Sequence, residues 1–546
     1  MTLFDPLKVP FSRRERFLTL SVMDGALMLR SVRGGDLRPS LGRLARVAFL
    51  ADGVEVAPDL RLSPGCLEAV HGGARVRFAI GEGERLHVEG AGLALAFRLE
   101  GSRYDYAYRT PAGAFCMVAA YENIRLMPRA RRGTVEVTGQ WRRDRADNVT
   151  CVFSGDFEGT LDLFAVMPPE ASETAFDVVV AEAEAEFAAF RAGFGVEGEA
   201  ARLAAYLLWA NTVPEGGSLS RPAVFMSKNS MINIWSWDNA FSALGLAGAD
   251  GALAFDQFAA IYDRQDACGM LPDFVHDQGA SFAFTKPPVH GWVLRLIGEM
   301  VPDWMTPERA AYLADHLAAQ VTWWLTATRA GRDSLPSYPH GNDSGWDNAS
   351  FFDAGGPVES PDLPTFLILC CDALAVLRPA EAARWRAEGA ALFALLMARL
   401  CDGTGFGTRR VGEGLERGQS LIGFMPLLLG ERLPRDLVAR MVAEFGAHLT
   451  EWGPATEAPG SPFYEADGYW RGPIWAPTTA LVWDGLRRQG EDAPAREVAA
   501  RFCRLCEAHG MAENFDALTG RGLRDPGFAW TSAVYLMFAR WLGGRG

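Results

Sequence analysis

The sequence predicts a two-domain chain: an N-terminal antiparallel β-sandwich and, behind it, a mainly α domain built as a barrel of paired helices. Three observations lead there. With 546 residues, the chain is too long for one ordinary core. Its first third alternates short β-forming runs with glycine-rich breaks, whereas the remainder is one helical period after another. Within that remainder the odd helices are amphipathic and rich in Ala, Arg and Glu, while the even ones start at loops rich in Gly, aromatic and polar residues. A buried inner ring and a half-exposed outer ring produce that alternation. Loops entering the inner helices from one side would then meet on the barrel axis.

Residues 1–185 carry the β pattern. Runs such as RVRFAI (75–80), LALAFRL (93–99), TVEVT (134–138) and LDLFAV (161–166) are separated by breaks such as GEGE (81–84), the spacing of a sandwich. An Ala/Glu-rich stretch ending at about 195 is expected to be a linker helix. From 196 to 546, about twelve helices are expected, near 196–213, 238–247, 251–265, 288–300, 306–328, 360–377, 379–401, 419–430, 434–448, 473–489, 492–509 and 529–543. Thr306-Pro307 opens one as N-cap and first-turn proline, Pro434 opens another that Gly446 closes, and Pro494 and Gly510 bracket a third.

Composition narrows the function. The net charge is −14, with no basic run to reverse it locally, which argues against nucleic acid and against an anionic membrane surface as partners. The first residues lack a basic start followed by an apolar core, and no stretch is long and apolar enough to span a bilayer. Nine scattered cysteines, an odd number, read as reduced thiols and a cytoplasmic protein. The histidines show no metal-ligand spacing, so no metal is expected.

The chemistry-bearing stretch is HGNDSGWDNASFF, 340–352. It sets Asp343, Asp347 and Trp346 on a loop loosened by Gly341 and Gly345. A carboxyl group beside an apolar wall keeps its proton at neutral pH, as a sugar-cleaving acid must. Glycoside hydrolysis needs a second carboxylate from elsewhere; Glu513, in MAENFDALTGRG, and Glu465, in SPFYEADGYW, compete for that place. Trp235, Trp237, Trp292, Trp346, Trp470, Trp475 and Trp530 all stand in the entry loops, where indoles would offer flat faces to sugar rings. Asp238 starts a helix after two of them and could bind hydroxyls. Lys286 and His290 flank a Pro-Pro step that could hold them over a pocket.

Read in order, WSWDNAF, GMLPDFV with KPPVHGW, SGWDN, YWRGPIW, and ENFDALTG with FAWTS resemble glycoside hydrolase family 63, the family of processing α-glucosidase I and bacterial α-glycosidases, and more distantly the trehalases of family 37. The resemblance covers about residues 196–546. It implies an (α/α)6 barrel, often with an N-terminal β-sandwich, and an inverting mechanism with Asp347 as general acid and Glu513 as general base, separated by about 6.5–9.5 Å to admit a water. It also implies Trp237, Asp238, Lys286, His290, Trp470 and Arg471 as substrate-binding residues. Where the family often has Glu-Ser-Gly before the acid, this chain has Asp343-Ser344-Gly345.

The expected activity is therefore that of an inverting, exo-acting α-glycosidase, foremost an α-glucosidase on an α-linked oligosaccharide or glucoside, with no cofactor required. The rivals are a phosphate-dependent disaccharide phosphorylase, a sugar epimerase on a similar barrel, and a non-catalytic carbohydrate-binding protein. Mannosyl- or glucosylglycerate-type substrates and trehalose stay open beside glucosides.

Overall fold

In the computed structural model, residues 4–410 and 412–544 are described. The N-terminal part is one antiparallel sheet of 14 strands, not two separate layers. The reason lies in its two longest strands, Ile124–Thr138 and Thr150–Phe164, each 15 residues long. The second pairs with Ala94–Leu99 along its first part and with Arg85–Ala91 along its last, so it carries the sheet from one half to the other. Register shifts fall between Ala130 and Thr134 on its hairpin partner, and such bulges bend a strand and increase its twist. The expected sandwich is thus corrected to a continuous, curled, near-closed sheet. Because this sheet takes up the first third of the chain, the molecule is mixed α and β rather than mainly α.

The helices, in chain order, are α1 (Phe176–Ala192), α2 (Glu199–Asn211), α3 (Ser236–Leu246), α4 (Gly251–Tyr262), α5 (His290–Met300), α6 (Pro307–Ala327), the single turn α7 (Gly341–Ser344), α8 (Asp362–Leu377), α9 (Ala382–Leu400), α10 (Arg435–Phe445), α11 (Ala476–Arg488), α12 (Asp492–His509) and α13 (Ala529–Leu542). The stretch expected as a helix near 419–430 is a 3-10 segment, Leu421–Arg432, interrupted at Gly430. Pro426 within it lacks the N–H that an α-helical turn needs.

Six of these elements close a ring. α3 packs on α5, α5 on α8, α8 on the 3-10 segment, that segment on α11, α11 on α13, and α13 back on α3. Close approach has a sequence cause: a Cβ on Gly291 of α5 would sit 2.4 Å from Cys370 of α8. Outside the ring, α2 covers α13, α4 covers α3, α6 and α9 cover α8, α10 covers the 3-10 segment, and α12 covers α11. Thr306 caps α6 by accepting from the Arg309 N–H, with Pro307 at the first turn. Helix α1 lies on the sheet: Phe176 and Val179 pack with Ala79, and its Glu186 pairs with Arg13. One hydrophobic core runs through both parts.

Candidate active site

The acid loop is held from several sides. The His340 ring accepts from the Asn342 N–H, while the Asp343 carboxylate accepts from the backbone N–H groups of His340 (3.0 Å) and Thr285 (2.9 Å). Asp343 therefore shapes the loop. Gly345 has φ +73°, and a Cβ there would lie 2.5 Å from the indole of Trp237; only glycine meets both conditions. We expect Gly345→Ala to cost about 2–5 kcal/mol from backbone strain and overpacking together, read as a lowered urea midpoint with a matching loss of activity.

Asp347 follows, half-buried at 28% side-chain exposure. Lys286 Nζ lies 3.7 Å from it and 3.4 Å from Asp273, and donates to the Asn342 carbonyl at 2.9 Å. Burial raises the Asp347 pKa, and Lys286 offsets part of that rise. Asp238, buried at the start of α3, is pushed well up by desolvation, and its Oδ2 has no hydrogen-bond partner among the described residues. Asp273 is raised by burial as well. Burial alone would lower Lys286; Asp347, Asp273 and Asp238 more than offset it, so its pKa stands above the usual lysine value. One ammonium thus serves three carboxyl groups.

Glu513 comes from the loop between α12 and α13. Its N–H donates to the Asp525 carbonyl at 2.7 Å, which fixes the backbone and leaves the carboxyl group buried. Desolvation, with Asp525 adding, pushes its pKa up to about 8; Arg524 and a backbone hydrogen bond from Asp525 pull the other way, and Asp347 adds to the rise. Asp347 thus reaches Glu513 electrostatically. Both act on Tyr469, whose hydroxyl is raised by burial and then by Asp347, Glu513 and Asp238 in turn. Tyr469 has φ +64°, a strained conformation for a bulky side chain. The Arg524 guanidinium lies 4.7 Å over its ring and reaches Asp467 (2.8 Å) and Asn514 (3.1 Å). Sequence reasoning did not single out Tyr469, Asp273 or Arg524. The first two lay inside motifs already quoted, YWRGPIW and GMLPDFV.

The indoles form a floor. Trp470 stacks on Trp475 at 4.0 Å and 6°, with Trp346 at 5.4 Å and Trp237 at 5.9 Å from it; Trp530 lies 6.0 Å from Trp237. All five are buried, so they pack on one another more than they face a ligand. Trp346 and Trp470 keep indole N–H groups with no acceptor among the described residues. Trp235 is 8% exposed and tilts against Phe274.

Three expectations change. His290 is turned away from the acids: its ring packs against Phe258 and Tyr262 of α4 and its Nδ1 meets Gln320 of α6 at 3.2 Å. Burial holds it at about 3, a neutral core histidine. Trp292 likewise belongs to the core, donating to Asp484 at 2.8 Å. Arg471 ties loops together: it donates to the Asn348 carbonyl (2.8 Å) and pairs with Asp353. Asn348 completes this clamp, bonding both the Gly468 carbonyl and the Trp470 N–H at 3.0 Å. Glu465 is exposed, whereas Glu513 is buried.

The chain has known relatives. Residues 231–531 match the model of the mannosylglycerate hydrolase MGH1-like glycoside hydrolase domain. The chain belongs to this glycoside hydrolase family. A mannosylglycerate hydrolase of Thermus thermophilus is 27% identical over 391 residues, 56% of this chain and 94% of that one. The crystal structure of a family 63 mannosylglycerate hydrolase from Thermus thermophilus in complex with Tris superposes with a TM-score of 0.55 at 23% identity, over 62% of this chain and 99% of the other. A bacterial glucoamylase complexed with acarbose covers 99% of this chain and 95% of its own, with a TM-score of 0.63 at 12% identity, a likeness of fold alone. The family 63 resemblance read from the motifs therefore holds, and the protein is a glycoside hydrolase. The family match leaves the sheet domain outside it.

Proposed function

We propose that this hydrolase cleaves a small α-glycoside with inversion, in one displacement. Asp347 protonates the glycosidic oxygen, and Glu513 takes a proton from the water attacking the opposite face of the sugar. The observation that carries this reading is the pair itself: two carboxyl groups from loops 166 positions apart in sequence, with Asp347 adding to the rise at Glu513 and both acting on the Tyr469 hydroxyl. Lys286 and Asp238 bind and orient the glycone hydroxyls, while the buried indoles keep bulk water from the floor. The relatives' names favour an α-mannosyl unit on glycerate as substrate, with the glucosyl equivalent second; the glucoside expected from sequence moves behind them. The closed helical ring supports reading the catalytic part, about 196–546, as an (α/α)6 barrel. Nine free cysteines support a reducing, cytoplasmic setting.

The test is proton NMR of the anomeric region during reaction with α-mannosylglycerate, α-glucosylglycerate and a panel of α-linked disaccharides, with and without phosphate. Fresh β-sugar from the glycerate glycosides, without phosphate, is the expected result. A first-formed α-anomer would exclude inversion, and a sugar phosphate formed only with phosphate would make the protein a phosphorylase.

Two consequences concern pH. With Glu513 near 8, its base form is the minor one at neutrality, so the base limb of kcat/KM rises from pH 6 toward 8. Burial raises Asp347 and Lys286 lowers it, so Lys286→Met should move the limb on which the acid loses its proton to higher pH while weakening substrate binding; a pH–rate profile of the variant checks both.

A further inference from the structure

Away from the catalytic loops, solvent-facing aromatic rings gather at one place on the sheet domain. Tyr104 is 53% exposed and Trp141 40%, and their rings lie nearly parallel, 6.5 Å apart at 11°. Tyr106 meets Trp141 edge-on at 6.0 Å and stacks with Tyr108 at 5.9 Å. The strand Tyr106–Arg109 alternates, with Ala107 buried between the two tyrosines, so its period of two sets both rings on the outer face. A bridge between Ala107 and Gln140 brings Trp141 alongside. The result is a strip of four rings, Tyr104 and Trp141 parallel and Tyr106 turned across them, with the Arg103 guanidinium 4.7 Å over the Tyr104 ring. Left in water, such rings forgo the burial that usually places them in a core.

The charge around the strip runs against that of the molecule. In a chain of net charge −14, four exposed arginines, Arg103, Arg142, Arg143 and Arg145, flank the rings against the exposed Asp144 and Asp147. Arg145 has Asp144 at 3.8 Å, whereas Arg142 and Arg143 engage no carboxylate among the described residues. Guanidinium forks match carboxylates, and aromatic planes match the CH faces of pyranose rings.

A relay of hydrogen bonds links the neighbourhood of the strip to the helical domain. Asp105, beside Tyr104, accepts from the Ala120 N–H at 2.9 Å; Arg38 donates to the Tyr121 carbonyl at 3.1 Å; and Gly34, on the same loop as Arg38, donates to Asp277 at 2.7 Å. Asp277 lies four positions after Asp273, the partner of Lys286.

We propose that this strip binds a carboxylated polysaccharide and so holds the enzyme on an acidic glycan, a function separate from the catalytic site. The test uses the full chain and fluorescein-labelled oligogalacturonate, followed by anisotropy. Wild type should bind, with affinity falling as salt rises. The double variant Tyr104→Ala/Trp141→Ala should weaken binding about tenfold or more, as should Arg142→Glu/Arg143→Glu, which leaves the rings in place. Both variants should keep the wild-type rate on a small glycoside, since none of the four residues touches the catalytic loops. Methyl-esterified oligogalacturonate, which has the rings without the charge, should compete poorly. Absence of binding by wild type, unchanged binding in either variant, or stronger competition by single-stranded oligo(dT) would each overturn the proposal.

Discussion

Asp347→Asn is expected to lower kcat/KM on an α-glycoside with a poor leaving group by roughly 10²–10⁴-fold, while leaving hydrolysis of the matching α-glycosyl fluoride close to the wild-type rate. The contrast follows from what the side chain does. A glycosidic oxygen departs as an alcohol only if a proton reaches it in the transition state, whereas fluoride departs without one. Asparagine keeps the shape of the side chain and its place beside Lys286, and with 28% of the side chain exposed the folding cost is small. An equal loss on both substrates would mean that Asp347 positions the sugar instead of protonating the leaving group. Steady-state rates on the pair of substrates decide between these two roles.

The acid loop was legible because its residue types are informative together. Asp347 beside Trp346, with Gly345 where a Cβ would strike Trp237, is a combination that a surface turn has no reason to keep. The helical ring was legible for a related reason: the loops rich in Gly, Trp and Asp precede α3, α5, α8, α11 and α13, so the alternation of the sequence records which helices face inward. His290 was misplaced because its neighbours in sequence, not its own side chain, pointed to the pocket. The Pro-Pro step does place Lys286 beside Asp347, but four residues later the helical turn has carried His290 to the face that meets α4 and α6. The indoles were found and their work misjudged. Spacing cannot tell a ring that faces a sugar from one stacked at 4.0 Å on another indole, as Trp470 is on Trp475.

Tyr469, Asp273 and Arg524 escaped for a different reason. Each acts through charges brought together from separate stretches of sequence: Asp273 shares Lys286 with Asp347, the Tyr469 hydroxyl is raised by three carboxyl groups, and Arg524 opposes the rise at Glu513. No local pattern encodes such neighbours. In the sheet domain the strands were readable from alternation, but the difference between two layers and one curled sheet rests on the bends of Ile124–Thr138 and Thr150–Phe164, set by a register shift of a few residues.

Glu513→Gln should abolish turnover on every substrate, the glycosyl fluoride included, by roughly 10²–10⁴-fold, because activating water is needed whatever the leaving group. Added azide, a nucleophile that needs no base, should restore cleavage of the fluoride and give the β-glycosyl azide. The same substitution should stabilise the fold. Glu513 has its pKa raised from an ordinary 4.5 to about 8. Below 4.5 both folded and unfolded chains hold the proton, and nothing is lost. As pH rises the unfolded chain releases its proton while the folded chain keeps it, so folding weakens by about 1.4 kcal/mol per pH unit until the folded group also ionises. Near pH 7 that cost is roughly 3 kcal/mol, and glutamine, which never ionises, removes it. Urea unfolding of wild type and variant between pH 4.5 and 8 should therefore show curves that start together and separate in favour of the inactive protein. A variant that loses activity and stability alike would make Glu513 a structural residue. One that is inactive yet more stable identifies a carboxyl group kept buried for its chemistry, at the expense of the fold.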